Sequence, residues 1–226
     1  MSKHSLYAYF LVVSLWGWIG CRPEKNIDQA FYHWKSKVDI NEEASAYLKS
    51  IGVNKLYIRM FDITWNEQNQ KVKPEAWVQF NKPLPAFIRI IPVVYIANDV
   101  FKKEKDPKKL AANTHQLLQS LFTQYHIKTD EIQIDCDWSL QTREAYFDFL
   151  KRLRARFPSV KWSATIRLHQ IKYPEKTGIP PVDKGMLMFY NMGKVDSLEG
   201  PNSIFDEQIA ALYTHKLPTY SLPLDV

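Results

Sequence analysis

The sequence predicts a parallel α/β barrel of the (β/α)8 TIM type, incomplete, with about seven of its strands present. Three observations lead there. From residue 30 onward, short runs rich in β-branched and aromatic residues alternate with longer helical patterns, as parallel strands joined by helices require. The run at 131–139 alternates apolar and polar residues and carries acids on its polar side. An open doubly wound sheet is covered by helices on both faces and demands apolar strands, whereas a barrel permits polar inward positions near its C-terminal mouth. Finally, 226 residues with 46% hydrophobic and 14% aromatic content suffice to bury one core.

The first element is a targeting segment. Lys3 and His4 precede an apolar stretch over 6–19 that is short for a bilayer span but fits the hydrophobic region of a secretory signal. It closes on Trp18-Ile19-Gly20-Cys21, which resembles the lipobox of bacterial lipoproteins, with Trp18 where leucine is usual. The resemblance implies a signal peptide over 1–20, lipidation at Cys21, a polar tether over 21–29 and a barrel over 30–226. It also implies a membrane-anchored lipoprotein of the bacterial cell envelope facing periplasm or exterior. Cys136 is then the only other cysteine, so no intramolecular disulfide forms and a buried structural thiol is expected.

Strands are expected at 30–34, 55–63, 90–97, 131–138, 162–169, 185–191 and 219–225, and helices at 41–51, 107–124, 142–157 and 205–213. Asn41 suits an N-cap, Glu42 and Glu43 suit the positive end of a helix dipole, and Gly52 suits a C-cap. Thr142 opens a stretch whose Tyr146, Phe149, Leu150 and Leu153 share one helical face before Pro158 stops it. A closed barrel needs about 250 residues. Seven strands ending at Val226 read as a C-terminally truncated barrel, with a natural open barrel as the alternative.

Composition excludes several classes. Seven scattered glycines offer no dinucleotide or phosphate-cradling loop, so no nucleotide cofactor is expected. The net charge of +6 comes without aromatic-basic repeats, so no nucleic-acid partner is expected. Lysines at 102, 103, 105, 108 and 109 read as a solvated loop, or as a face toward an anionic membrane surface. No His-x-His or His-Glu-x-x-His spacing announces a metal site.

In the run 131–139, Ile132, Ile134, Cys136 and Trp138 share one face, while Gln133, Asp135, Asp137 and Ser139 share the other. This run resembles the fourth strand of the chitinase-like glycoside hydrolases of family eighteen, whose signature is Asp-x-x-Asp-x-Asp-x-Glu. Asp135 and Asp137 match its second and third acids, but Ile132 replaces the first and Ser139 the catalytic glutamate. Met188-Phe189-Tyr190-Asn191 resembles that family's sixth-strand Met-x-Tyr-Asp/Asn segment. A nearer resemblance is to bacterial glycoside-hydrolase-like barrels of unknown function, through Asp135–Asp137, Tyr146, Leu153-Arg154 and Ser163-Ala164-Thr165.

The resemblance implies a carbohydrate partner, with Asp137 and Asp135 as the candidate catalytic acids. Asp62, Asn98, Arg167, His169, Tyr190 and Asn191 are expected to gather at strand ends as substrate-binding residues, with Asp225 on the last strand. Arg59 and Arg167 offer Asp135 and Asp137 a purely structural role as ion partners. Serine cannot serve as the general acid near neutral pH, so hydrolysis stays open. The expectation is an envelope-anchored lipoprotein that binds a carbohydrate. The alternative is a non-catalytic barrel that binds glycan or a protein partner at the same mouth.

Overall fold

The computed structural model describes residues 27–190 and 204–226, so the signal segment, Cys21 and Asn191 lie outside the described residues. The parallel sheet runs through β1 (Ala30–His33), β3 (Lys55–Asn66), β6 (Arg89–Ile96), β7 (Glu131–Asp135), β8 (Lys161–Arg167), β9 (Lys184–Met188) and β10 (Leu224–Asp225), each paired with the next. Strand order follows chain order, as in a barrel wound in one direction. Among the described residues the curled sheet stays open between β1 and β10, the incomplete barrel that the strand count predicts.

The connections are α1 (Glu42–Ser50), α2 (Val100–Lys103), α3 (Pro107–Gln124), α4 (Arg143–Arg154), α5 (Leu168–Lys172), α6 (Pro174–Thr177) and α7 (Glu207–Thr214). Their boundaries obey the capping signals. Asn41 accepts from Ala44 N at 2.8 Å, and Gly52 takes φ +74° just past α1. Asp106 accepts from Lys109 N at 2.9 Å ahead of Pro107 in the first turn of α3. Among the described residues no helix is long and apolar enough to cross a membrane.

Four features differ from the sequence expectation. β3 runs on to Asn66 and folds back on β4 (Lys71–Glu75) as a hairpin, where Asn66 accepts from Asn69 N at 2.9 Å. Short β2 (Lys37–Val38) and β5 (Gln79–Phe80) form a separate two-stranded patch. Beyond β8 the chain turns at once into α5, so His169 sits in a helix rather than on the fifth strand. The last strand is also shorter than 219–225, because Leu217–Thr219 forms a 3-10 turn before β10.

Alternation divides each strand between two environments. Ile58, Phe61, Ile134, Trp162 and Ile166 face the helices and join the large core, which receives Tyr146, Phe149, Leu150 and Leu153 from α4. Each such side chain contributes about 1.5–3 kcal/mol by leaving water. The inward face holds a small apolar cluster of Tyr57, Ile91, Val93, Met186 and Met188. A bulge between Arg59 and Phe61 resets the alternation of β3, so that Asp62 pairs across from the inward Tyr95.

The lumen also contains a polar network. Lys184 Nζ lies 2.9 Å from Glu131 Oε2 and 2.6 Å from Asp225 Oδ2. Ser163 Oγ donates to Glu131 Oε1 at 2.7 Å, Gln133 Nε2 donates to Ser163 Oγ at 3.3 Å, and Tyr32 OH donates to Gln133 Oε1 at 2.6 Å. These bonds tie β1, β7, β8, β9 and β10 together across the interior, where unpaired polar groups would be costly. Gly185 makes room for β10: a Cβ there would stand 2.7 Å from Leu224 Cδ2 and 2.6 Å from Ile166 Cγ1.

Candidate functional site

The site begins where β7 ends. The strand stops at Asp135, but the inward–outward alternation continues, because Cys136 and Trp138 stay buried toward the helices. Trp138 is fixed by Nε1 donating to Thr177 O at 2.9 Å and by stacking on Tyr146, with ring centroids 5.2 Å apart. Asp135 and Asp137 are thereby carried to the other face, Asp135 deep and Asp137 at the mouth.

Their environments differ sharply. Asp135 is buried and accepts from Thr165 Oγ1 at 2.7 Å. Burial pushes its carboxyl above the usual aspartate range, and that hydrogen bond only partly offsets the shift. Asp137 is 55% exposed and is gripped by Arg167, whose Nε and Nη2 reach the two carboxylate oxygens, the latter at 3.0 Å. Burial works against the Arg167 charge, yet the Asp137 fork outweighs it and moves the guanidinium further up. The guanidinium also stands 6.0 Å from the centre of the Tyr190 ring.

Gln170, which the sequence reading did not single out, organises this pair. Its Oε1 accepts from Arg167 N at 2.8 Å, and its Nε2 donates to Trp138 O at 3.3 Å. One fully buried amide therefore ties the chain beside Asp137 to the chain at Arg167.

A concavity of about 390 Å³ opens over the fork, lined by Asp137, Arg167, His169, Tyr190, Ile209 and Tyr213, with the last two supplied by α7. Burial lowers the His169 pKa below the usual histidine value, and the nearby Asp137 opposes that shift. Four of the expected residues thus meet in one place. Of the others that the structure describes, none is among its lining residues. Asp62 sits 2.9 Å from Arg59 Nε, its carboxyl raised by burial against the opposing effect of that cation. Asn98 Oδ1 accepts from Thr142 Oγ1 at 2.5 Å. Asp225 belongs to the Lys184 network in the lumen.

Ser139 stands where the resemblance would put a catalytic glutamate. Its N donates to Thr142 Oγ1 at 2.9 Å and its hydroxyl lies 3.2 Å from the same oxygen. Ser139 and Thr142 form a turn latched to Asn98 rather than an acid aimed into the concavity. The Thr142 hydroxyl is spent on this latch, and it makes no side-chain cap at the start of α4.

A second, larger hollow of about 860 Å³ is the open lumen, walled by Tyr32, Trp34, Tyr57 and Met186, and it shares Met188 and Tyr190 with the first. Tyr32 and Trp34 stack in parallel there, with centroids 5.1 Å apart. Among the described residues, no three His, Cys, Asp or Glu side chains gather as a metal site would need.

No family model and no curated protein matches the chain. Solved structures do. The chitinase-like agglutinin of Robinia pseudoacacia is 12% identical with a TM-score of 0.55, over 86% of this chain and 67% of that one. A GH18 chitinase of Cycas revoluta, solved with (GlcNAc)4, is 12% identical with a TM-score of 0.54, over 88% of this chain and 68% of that one. The fold is the chitinase-type barrel. The spore cortex-lytic enzyme SleL of Bacillus cereus shares it at 17% identity and a TM-score of 0.54, over 85% of this chain. This chain spans 47% of the length of SleL, so the chitinase-type barrel here corresponds to about half of that protein.

Proposed function

We propose that this chain is a glycan-binding protein with a glycoside-hydrolase-like barrel, held at the bacterial cell envelope by a lipid on Cys21 after removal of residues 1–20. The sugar is received at the Asp137–Arg167 mouth, with Tyr190 and Tyr213 as stacking surfaces. One observation carries the choice of binding over hydrolysis. The matched acid Asp137 is neutralised in a two-point fork by Arg167, and Ser139 at the glutamate position has its hydroxyl turned to Thr142. Both Asp137 oxygens are taken up by the guanidinium, and a serine hydroxyl cannot replace the general acid. The likeness to a chitinase-like agglutinin and to a chitinase solved with (GlcNAc)4 supports a carbohydrate ligand.

Calorimetry and product analysis against a glycan panel, with wild type and Asp137→Asn, test this reading. Binding that weakens in Asp137→Asn, with no released product in either protein, is expected. Turnover by wild type that disappears in a folded Asp137→Asn protein would overturn it in favour of hydrolysis. Labelling with a radioactive fatty acid, with Cys21→Ala as control, tests the anchor; no incorporation into wild type removes it.

A further inference from the structure

Behind the wall of the mouth stand cations that the fork leaves unused: Lys172 touches the wall ring Tyr213, and Lys176 follows behind it on Tyr173, which does not line the concavity. On α5, His169 lines the concavity and Lys172 follows three residues later on the same helical face. Lys172 Nζ lies 4.8 Å from the ring centre of Tyr213, a wall of the concavity, and 5.6 Å from that of Tyr173. Lys176 Nζ stands 5.6 Å from the same Tyr173 ring. The rings hold both ammonium groups through cation–π attraction while leaving their N–H donors unspent.

Among the described residues the local charge balance is positive. Asp137, the carboxylate lining the concavity, is already matched by Arg167. Glu207 lies in the first turn of α7, whereas Tyr213 lies in its last, about 9 Å further along the axis. Glu175 is exposed and adjacent in sequence to Lys176, a spacing at which helical side chains diverge. Among the described residues no carboxylate forms an ion pair with Lys172 or Lys176.

From this arrangement we infer that the glycan received at the mouth is anionic: a sugar ring stacks on Tyr213 while a carboxylate or phosphate group on the chain meets Lys172 and Lys176. The inference rests on the glycan-binding reading above and names its ligand class. Neutral sugar rings would use the stacking surfaces alone, so the two lysines separate anionic ligands from neutral ones of the same length.

Calorimetry at low salt tests it with hyaluronan fragments for the carboxylate arm, phosphomannan fragments for the phosphate arm and chito-oligosaccharides as the neutral arm. Wild type is expected to prefer an anionic arm. Lys172→Gln combined with Lys176→Gln should weaken that arm by about three- to tenfold, from two charge contacts open to solvent on at least one side. The neutral arm should change by less than about twofold, and the difference should shrink as salt screens it. Lys176 is exposed and Lys172 half-buried, and an unchanged melting temperature verifies the fold of the variant. Equal binding of neutral and anionic fragments, or an anionic preference that survives the double substitution, overturns the inference and leaves glycan binding standing. No binding in any arm overturns both.

Discussion

Replacing Lys184 by Met should destabilise the barrel by stranding a buried charge. Lys184 Nζ is the cation beside Glu131 Oε2 at 2.9 Å and Asp225 Oδ2 at 2.6 Å. The Glu131 side chain is 7% exposed and cannot recover water, whereas that of Asp225 is 44% exposed and can. Breaking one side of a buried pair costs about 3–5 kcal/mol. Ser163 Oγ and Tyr57 OH still donate to Glu131 Oε1 at 2.7 and 3.4 Å, which places the expected loss near the lower end, about 3 kcal/mol. Urea unfolding followed by tryptophan fluorescence measures it. Combining Lys184→Met with Glu131→Leu removes the stranded charge, and that double variant should recover to within about 1.5 kcal/mol of wild type. A single variant that loses less than about 1 kcal/mol, or a double variant no better than the single, would refute the reasoning. Burial disfavours the Lys184 charge, but its bonds to Asp225 and Glu131 outweigh burial and hold its pKa above the usual lysine value. The stabilisation is therefore fully present below about pH 10.4, and is lost only as pH rises through the higher folded value.

Asp135→Asn should raise the unfolding midpoint at neutral pH. The folded carboxyl keeps its proton above the ordinary aspartate range of about 3.9, so wild-type stability falls as pH rises from there, and the variant should show a flatter profile in thermal melts. Gly185→Ala should cost about 1–3 kcal/mol in the same melts, because its Cβ would meet Ile166 Cγ1 at 2.6 Å and Leu224 Cδ2 at 2.7 Å. Ser139→Glu should release no product from chito-oligosaccharides in a reducing-end assay, since the Arg167 fork still neutralises Asp137; measurable release would show that a restored carboxyl is sufficient.

The elements legible in the sequence are those whose pattern is local. The period-two alternation of 131–139 foretold which side chains face inward, and it holds even past Asp135, where the strand hydrogen bonds stop. Tyr146, Phe149, Leu150 and Leu153 marked the buried face of α4 because its twelve residues span several helical turns. By contrast α5 has five residues, too few for any period to emerge, so His169 reads as strand from its neighbours. The fork was visible as one possible pairing of Asp137 with Arg167, while its lock by Gln170 was not, since glutamine carries no charge to flag it. Lys184 and Glu131 each stand at the start of a strand and resemble solvated charges until the sheet curls and brings them together. Ile209 and Tyr213 join the mouth only through the placement of α7, which no local pattern encodes.

The Gln170 tie fixes the Asp137–Arg167 separation in the frame of the barrel, and this sets how far the mouth can be felt. Two opposite charges at fixed spacing act as a dipole, whose potential falls with the square of distance, while a lone ammonium falls only with its first power before salt screening sets in. The fork therefore speaks only to a ligand already touching it. On the anionic-ligand proposal, attraction from farther out would fall to Lys172 and Lys176, so capture and contact at this mouth would be carried by different residues and would respond differently to ionic strength.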